Sequence, residues 1–144
     1  MLFRENVLKE STIKYNNVFG FEELCNIYKI NLRGNSSDKI FTTNIEKILE
    51  TPVPIEPNTI NNNNRLKIIC LGPNEWLIEI YELKDFEKIF LKLKSSLNSQ
   101  STALTDITDS KAILELRGIH LYKLLAKFMI IDLHKILNKE LAVA

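Results

Sequence analysis

Residues 66–81 hold two apolar runs of strand length on either side of Gly72-Pro73-Asn74-Glu75, and this pattern constrains the fold more than any other stretch. Pro presets φ for a turn, and Gly and Asn accept the reversed backbone that follows it. Residues 66–71 and 76–81 therefore read as the arms of a β-hairpin. Trp76, the chain's one tryptophan, opens the return arm. A lone Trp at a hairpin start is expected to anchor the core, with an interface hot spot as the competing reading.

The flanking segments supply the rest of an α+β pattern. Residues 27–32 alternate, with Tyr28, Ile30 and Leu32 on one face and Lys29 and Asn31 on the other, which predicts a half-buried strand ending at Gly34. Ser36 and Ser37 are candidate N-caps for a helix that places Phe41, Ile45, Ile48 and Leu49 on one side. Pro52, Pro54 and Pro57 stop that helix and force an extended linker. The asparagine run 61–64 reads as an exposed loop. Residues 84–98 form an amphipathic helix with the stripe Phe86, Ile89, Phe90, Leu93 and Leu97. Its wet side carries Lys84, Lys88 and Lys92, read as a solvated face, with an anionic-ligand patch as the alternative. Residues 103–108 predict a strand, Asp109-Ser110 a tight turn, and 111–117 the partner strand. Gly118 ends it, and Leu121, Leu124, Leu125 and Phe128 stripe a last helix. Residues 1–26 are polar and weakly periodic, and are expected to be an N-terminal extension to a single domain over 27–144.

Ile30-Asn31-Leu32-Arg33-Gly34 is echoed by Leu114-Glu115-Leu116-Arg117-Gly118. Each ends a strand and precedes an amphipathic helix. Glycine at such a point permits a strand-to-helix reversal that a side chain would block. The echo predicts a two-layer, pseudo-repeated strand–helix architecture.

A chain of 144 residues fits one domain. Its 19 basic and 18 acidic residues leave a net charge of +1, which argues against a dedicated nucleic-acid binder. No apolar run reaches the roughly 20 residues of a membrane span, and the first ten residues lack the apolar core of a signal peptide. A cytoplasmic protein is expected. Cys25 and Cys70 form no CxxC and read as reduced thiols, Cys70 buried in a strand.

The inventory for chemistry is sparse. His120 and His134 lie in no nucleophile motif, and two isolated histidines with two isolated cysteines do not make a metal site. The 4 glycines are too scattered for a phosphate loop. Asp106 and Asp109 flank a turn and read as turn-capping acids rather than an acid–base pair. The expectation is a non-catalytic chain that works by binding, with no cofactor-binding or metal-binding residues of its own.

At Leu71-Gly72-Pro73-Asn74-Glu75-Trp76-Leu77 the chain resembles the gamma subunit of heterotetrameric sarcosine oxidase, which carries Leu-Gly-Pro-Asp-Glu-Trp-Leu at this hairpin. Asn74 replaces the family's Asp. Asp106-Ile107-Thr108-Asp109-Ser110 is similar to Asp-Val-Ser-His-Ser, and Leu116-Arg117-Gly118 to Leu-Ser-Gly. Leu124-Leu125-Ala126-Lys127 is similar to Val-Leu-Ala-Lys, and Asp132-Leu133-His134 matches Asp-Leu-His. Phe128-Met129-Ile130 departs from Gly-Cys-Pro, and Lys135 from a Pro. The family usually continues past this point through a further strand-and-helix segment, whereas the sequence stops at Ala144, so a truncated member, a divergent one or an incomplete chain is expected.

The resemblance implies a fold related to the folate-binding aminomethyltransferase. It implies an accessory role in a complex that demethylates sarcosine to glycine, passes the one-carbon unit to tetrahydrofolate and makes hydrogen peroxide. FAD, FMN, NAD and tetrahydrofolate would be held by the larger alpha and beta subunits and their delta partner, not by this chain. The related N-methylglutamate dehydrogenases are an alternative setting. A stand-alone folate-binding module is a second, but its Lys-Gly-Cys-Tyr signature is absent, and a one-carbon transferase would need a full folate cavity. Gly72, Pro73, Asn74, Glu75, Trp76, Arg117 and Gly118 are the motif or interface candidates. Apolar residues of the two ends, Leu2, Phe3, Val18, Phe19, Phe21, Leu137, Leu141 and Val143, are expected to dock on a partner.

Overall fold

The computed structural model describes residues 13–16, 19–97 and 101–130 of the chain. The first half contains β1 (Ile13–Asn16), β2 (Phe19–Glu23), β3 (Tyr28–Arg33), α1 (Lys39–Leu49) and β4 (Ile60–Asn62). The hairpin strands β5 (Leu66–Gly72) and β6 (Glu75–Ile80) follow, then α2 (Leu83–Ser96) and β7 (Ala103–Asp106). A 3-10 turn at Thr108–Ser110, β8 (Leu114–Arg117) and the short α3 (Leu121–Leu125) complete the described chain. It divides into two compact units, one from Asn26 to Thr108 and one from the described residues on either side.

In the larger unit all pairings are antiparallel, in the order β4-β5-β6-β3-β7. The succession β3-α1-β5 and β6-α2-β7 is a split βαβ arrangement. β3 and β5 run parallel with β6 between them, and β6 and β7 run parallel with β3 between them. This is an internal repeat, but not the expected one. The Leu-Arg-Gly echo spans two different units, and the repeat lies wholly within 26–108.

The core lies on one face of this sheet. Ile30, Leu32, Leu66, Ile68, Cys70, Trp76, Ile78 and Ile80 are buried there with Phe41, Ile45 and Leu49 of α1 and Ile89 and Leu93 of α2. Period-two burial in the strands and 3.6-residue spacing in the helices generate this face as the sequence predicts. The opposite face carries a charged row, in which Glu79 sits across from Lys67 on one side and Lys29 on the other. Lys67 Nζ lies 3.2 Å from Glu79 Oε2. Opposite charges across a strand pair stabilise its register.

Local capping departs from expectation. Asp38, not Ser36 or Ser37, is the N-cap of α1: its Oδ1 accepts from Ile40 N at 2.8 Å and Phe41 N at 3.3 Å. At the other end Glu50 adopts a left-handed φ of 53°. Asn63 explains how the helix stops there without glycine. Its Nδ2 donates to Leu49 O at 3.2 Å and to Thr51 Oγ1, while Oδ1 accepts from Arg65 N at 2.9 Å and Leu66 N at 3.1 Å. One amide thus satisfies a free helix-end carbonyl and closes the β4–β5 turn. The asparagine run is therefore not a free loop, since Asn61 and Asn62 lie in β4.

In the smaller unit β2 pairs antiparallel with β1 and with β8, in the order β1-β2-β8. Two expectations change here. Residues 1–26, read as an extension, contain two strands among their described residues. Residues 111–117 do not pair with 103–108: β8 pairs with β2, and β7 pairs with β3. The turn between them is a 3-10 turn in which Asp106 Oδ1 accepts from Thr108 N at 2.9 Å, the capping role expected of that acid. The last helix is five residues long with none buried, and Phe128 lies beyond it, 79% exposed.

Candidate functional site

The hairpin tip is the most closely built part of the chain's candidate residues. Gly72 pairs with Glu75, leaving Pro73 and Asn74 as a two-residue loop. Asn74 has φ of 74°. Pro at the first loop position and positive φ at the second is the type II arrangement. Asn tolerates the left-handed region better than most side chains. It also binds across the sheet end: Asn74 O accepts from Gly34 N at 3.1 Å, and Asn74 Oδ1 accepts from Ser36 N at 2.7 Å. The tip of one hairpin therefore holds the β3–α1 connection.

Glu75, opposite Arg33 in the register, strengthens the same joint. Its Oε1 accepts from Arg33 Nη2 at 2.9 Å and from Asn31 Nδ2 at 2.8 Å. The Arg33 side chain is 61% exposed, so the ion pair adds little stability. Its effect is to fix where the guanidinium stands. A groove of about 640 Å³ opens here, lined by residues 33–35, 73–75 and 101–103. It is polar, and both charges on its rim belong to one ion pair.

Trp76 is fully buried, as its position predicts. Its Nε1 donates to Pro54 O at 2.7 Å, and its ring lies 5.8 Å from that of Phe41. The proline segment after α1 thus meets the hairpin through the indole. Gly34 sits against the Phe41 ring, where an added Cβ would lie 2.1 Å from Phe41 Cζ. No glycine among the described residues has positive φ. Glycine is required at 34 by the close approach of the Phe41 ring, not by the backbone reversal expected from sequence.

The structure brings Gly72, Pro73, Asn74, Glu75 and Trp76 together. Arg117 and Gly118 belong to the other unit, where exposed Arg117 pairs with Glu115 on its own strand. Residues that sequence reasoning missed are Ser36, which meets Asn74 through its backbone, and 101–103, which line the groove only because β7 lies beside β3. Arg33 was visible only as half of an echo, and Gly34 only as part of that echo and as a strand end.

Cys70 is fully buried, and burial pushes its thiol above the ordinary range. Among the described residues no three His, Cys, Asp or Glu side chains are grouped to hold a metal, and no helix is long and apolar enough to cross a membrane. His120 is exposed at the start of α3, as expected. His134, the Asp132-Leu133-His134 match, Leu2, Phe3, Val18, Leu137, Leu141 and Val143 lie outside the described residues.

No protein-family model matches the chain, and no curated protein is similar to it in sequence. The fold itself has a solved counterpart. The chain superposes on a chain of the heterotetrameric sarcosine oxidase from Corynebacterium sp. U-96, in complex with pyrrole 2-carboxylate, with a TM-score of 0.73 at 17% identity. The match covers 85% of this chain and 62% of that one, so the chain spans less than two thirds of its counterpart's length. The protein is a mixed α/β chain of antiparallel sheets that shares the fold of a sarcosine oxidase subunit.

Proposed function

We propose that this chain is an accessory, gamma-type subunit of a heterotetrameric sarcosine oxidase. The observation that carries the reading is the fold likeness to a chain of such a complex over most of this chain's length. The Gly72-Pro73-Asn74-Glu75-Trp76 turn supports it independently, since it resembles the family's turn in sequence and forms a built joint in the structure. In this reading the larger alpha, beta and delta subunits hold FAD, FMN, NAD and tetrahydrofolate. The fold is then a member of the aminomethyltransferase-like group, and the complex works in the cytoplasm. This chain's own residues supply packing surface and contact no substrate.

The test is reconstitution. Co-expressed with the alpha, beta and delta subunits of an oxidase from the same source, the chain should co-purify at fixed stoichiometry. The assembly should oxidise sarcosine with release of hydrogen peroxide. The chain alone should show neither flavin absorbance nor activity. A flavin spectrum that travels with the isolated chain would overturn the reading. Turnover of N-methylglutamate in place of sarcosine would move the chain to the related dehydrogenase.

A further inference from the structure

The exposed side of α2 carries an arrangement that helix stability does not explain. Lys84, Lys88 and Lys92 repeat at four-residue intervals, and all three are exposed. Residues four apart stand one above the other on a helix, so each neighbouring pair sets two ammonium groups side by side and destabilises the helix. Lys84 also stands in the first turn, where the positive end of the helix dipole disfavours a cation. A helix face tuned for stability places a carboxylate four residues before each lysine. Those positions hold Ile80, Lys84 and Lys88 instead.

Nearby acids do not relieve this charge. Asp85 Oδ1 lies 3.8 Å from Arg65 Nη1, and Glu50, just past the end of α1, holds the same guanidinium at 2.8 Å. Glu87 is the other acid of α2, and no acid follows it in the helix. Among the described residues no ion pair engages the three lysines, whereas Arg33, Lys67 and Arg117 each have a carboxylate partner. Leu91 stands among the lysines, 66% exposed. At about 3.6 residues per turn it projects on the same side as Lys84 and Lys88, opposite buried Ile89 and Leu93.

The geometry points to this side of α2 as the docking surface for an acidic segment of another protein chain, with carboxylates for Lys84, Lys88 and Lys92 and an apolar residue for Leu91. Charge complementarity sets the sign, because an anionic partner replaces repulsion along the stripe with attraction. Other anions fit less well. Nucleic acid is gripped through arginine forks and aromatic stacking, and the exposed side of α2 offers neither. A membrane surface takes up a broad apolar helix face, and here Leu91 is alone among the lysines. With a net charge of +1 over the chain, the attraction acts at contact, within a screening length of about 8 Å at physiological salt. This surface is additional to the apolar contacts expected at a subunit interface, and the inference does not depend on which complex the chain joins.

A displayed library of random peptides, selected on the full chain, is the test. Selected peptides should be rich in Asp and Glu around an apolar residue. The triple variant Lys84→Gln, Lys88→Gln, Lys92→Gln should bind them about tenfold more weakly, the combined loss of three exposed ion pairs. Added salt should weaken binding to the unaltered chain and have little effect on the variant. Leu91→Gln should bind more weakly with the salt dependence kept. Glutamine suits a helix as well as lysine does and removes the like-charge pairs, so the triple variant should melt no lower than the parent. The proposal is overturned if no peptide is selected, if the selected ones lack acids, or if they bind the triple variant as tightly as the parent. A lower melting temperature of that variant also overturns it, because the lysines then serve the fold. So does slow exchange of their ammonium protons by NMR in the dilute free chain, which would mean that the chain's own acids already hold them. Phosphatidylserine vesicles or duplex DNA bound through these lysines, where acidic peptides are not, would overturn it as well.

Discussion

Three side chains near the hairpin tip do work that their residue types alone do not announce. Asn74 combines a left-handed φ with an acceptor for Ser36 N. Asn74→Asp keeps that acceptor and should be nearly neutral, whereas Asn74→Ala loses it and places a Cβ residue in the left-handed region. A loss of about 2 kcal/mol is expected, read from urea unfolding. Trp76→Ala should cost about 3–5 kcal/mol by the same measurement, because it empties a fully buried site and orphans Pro54 O. If stability holds and only assembly fails, the indole is an interface residue instead. Cys70 supplies a pH signature. Its thiol is raised by burial, so the folded state holds the proton more tightly than the unfolded state does. The stability it contributes is complete below the unfolded thiol value of about 8.5 and is lost as pH rises past it. Cys70→Ala, less stable at neutral pH, should show a smaller decline between neutral and alkaline pH.

At the scale of elements, ends matter more than middles. The apolar stripes of α1 and α2 are where their periodicity predicts, but the residues that start and stop α1 are not the ones first expected. Asp38→Ala should cost about 1 kcal/mol through the lost cap, while Ser36→Ala and Ser37→Ala should cost little, because both serines are bound through their backbone N–H groups. Circular dichroism melts of the three variants separate these outcomes. Asn63 shows the same logic at the helix C-terminus, where one side chain joins α1 to the β4–β5 turn. The lysines 84, 88 and 92 are exposed along α2, and among the described residues no ion pair engages them.

For the whole molecule, near-zero charge is the property that shapes behaviour in solution. With a sequence pI of about 7.7, the chain carries little net repulsion at neutral pH. Solubility should be lowest near that pH and rise on either side, as a precipitation series would show. A flat profile would mean that local patches rather than net charge control association. The same balance means that long-range steering contributes little to partner recognition, so an interface built from apolar contacts and hydrogen bonds is expected.

Local physics was legible in the sequence because it depends on neighbours along the chain. Alternation in β3, β5 and β6, the 3.6-residue stripes of α1 and α2, the Pro-Asn turn and the burial of Trp76 each follow from residues within a few positions of one another. Pairing between distant segments was not legible. Residues 103–108 and 111–117 read as one hairpin because strands close in sequence usually pair, yet the strands formed there find different partners, β3 for β7 and β2 for β8. Strand-forming residues state a capacity to pair but not with whom, and polar, weakly periodic segments such as 13–16 and 19–23 form strands only when a sheet receives them. Gly34 is the same lesson at one residue. The sequence shows that a glycine stands there, and only the tertiary structure reveals that the ring of Phe41, seven positions on, occupies the space a side chain would need.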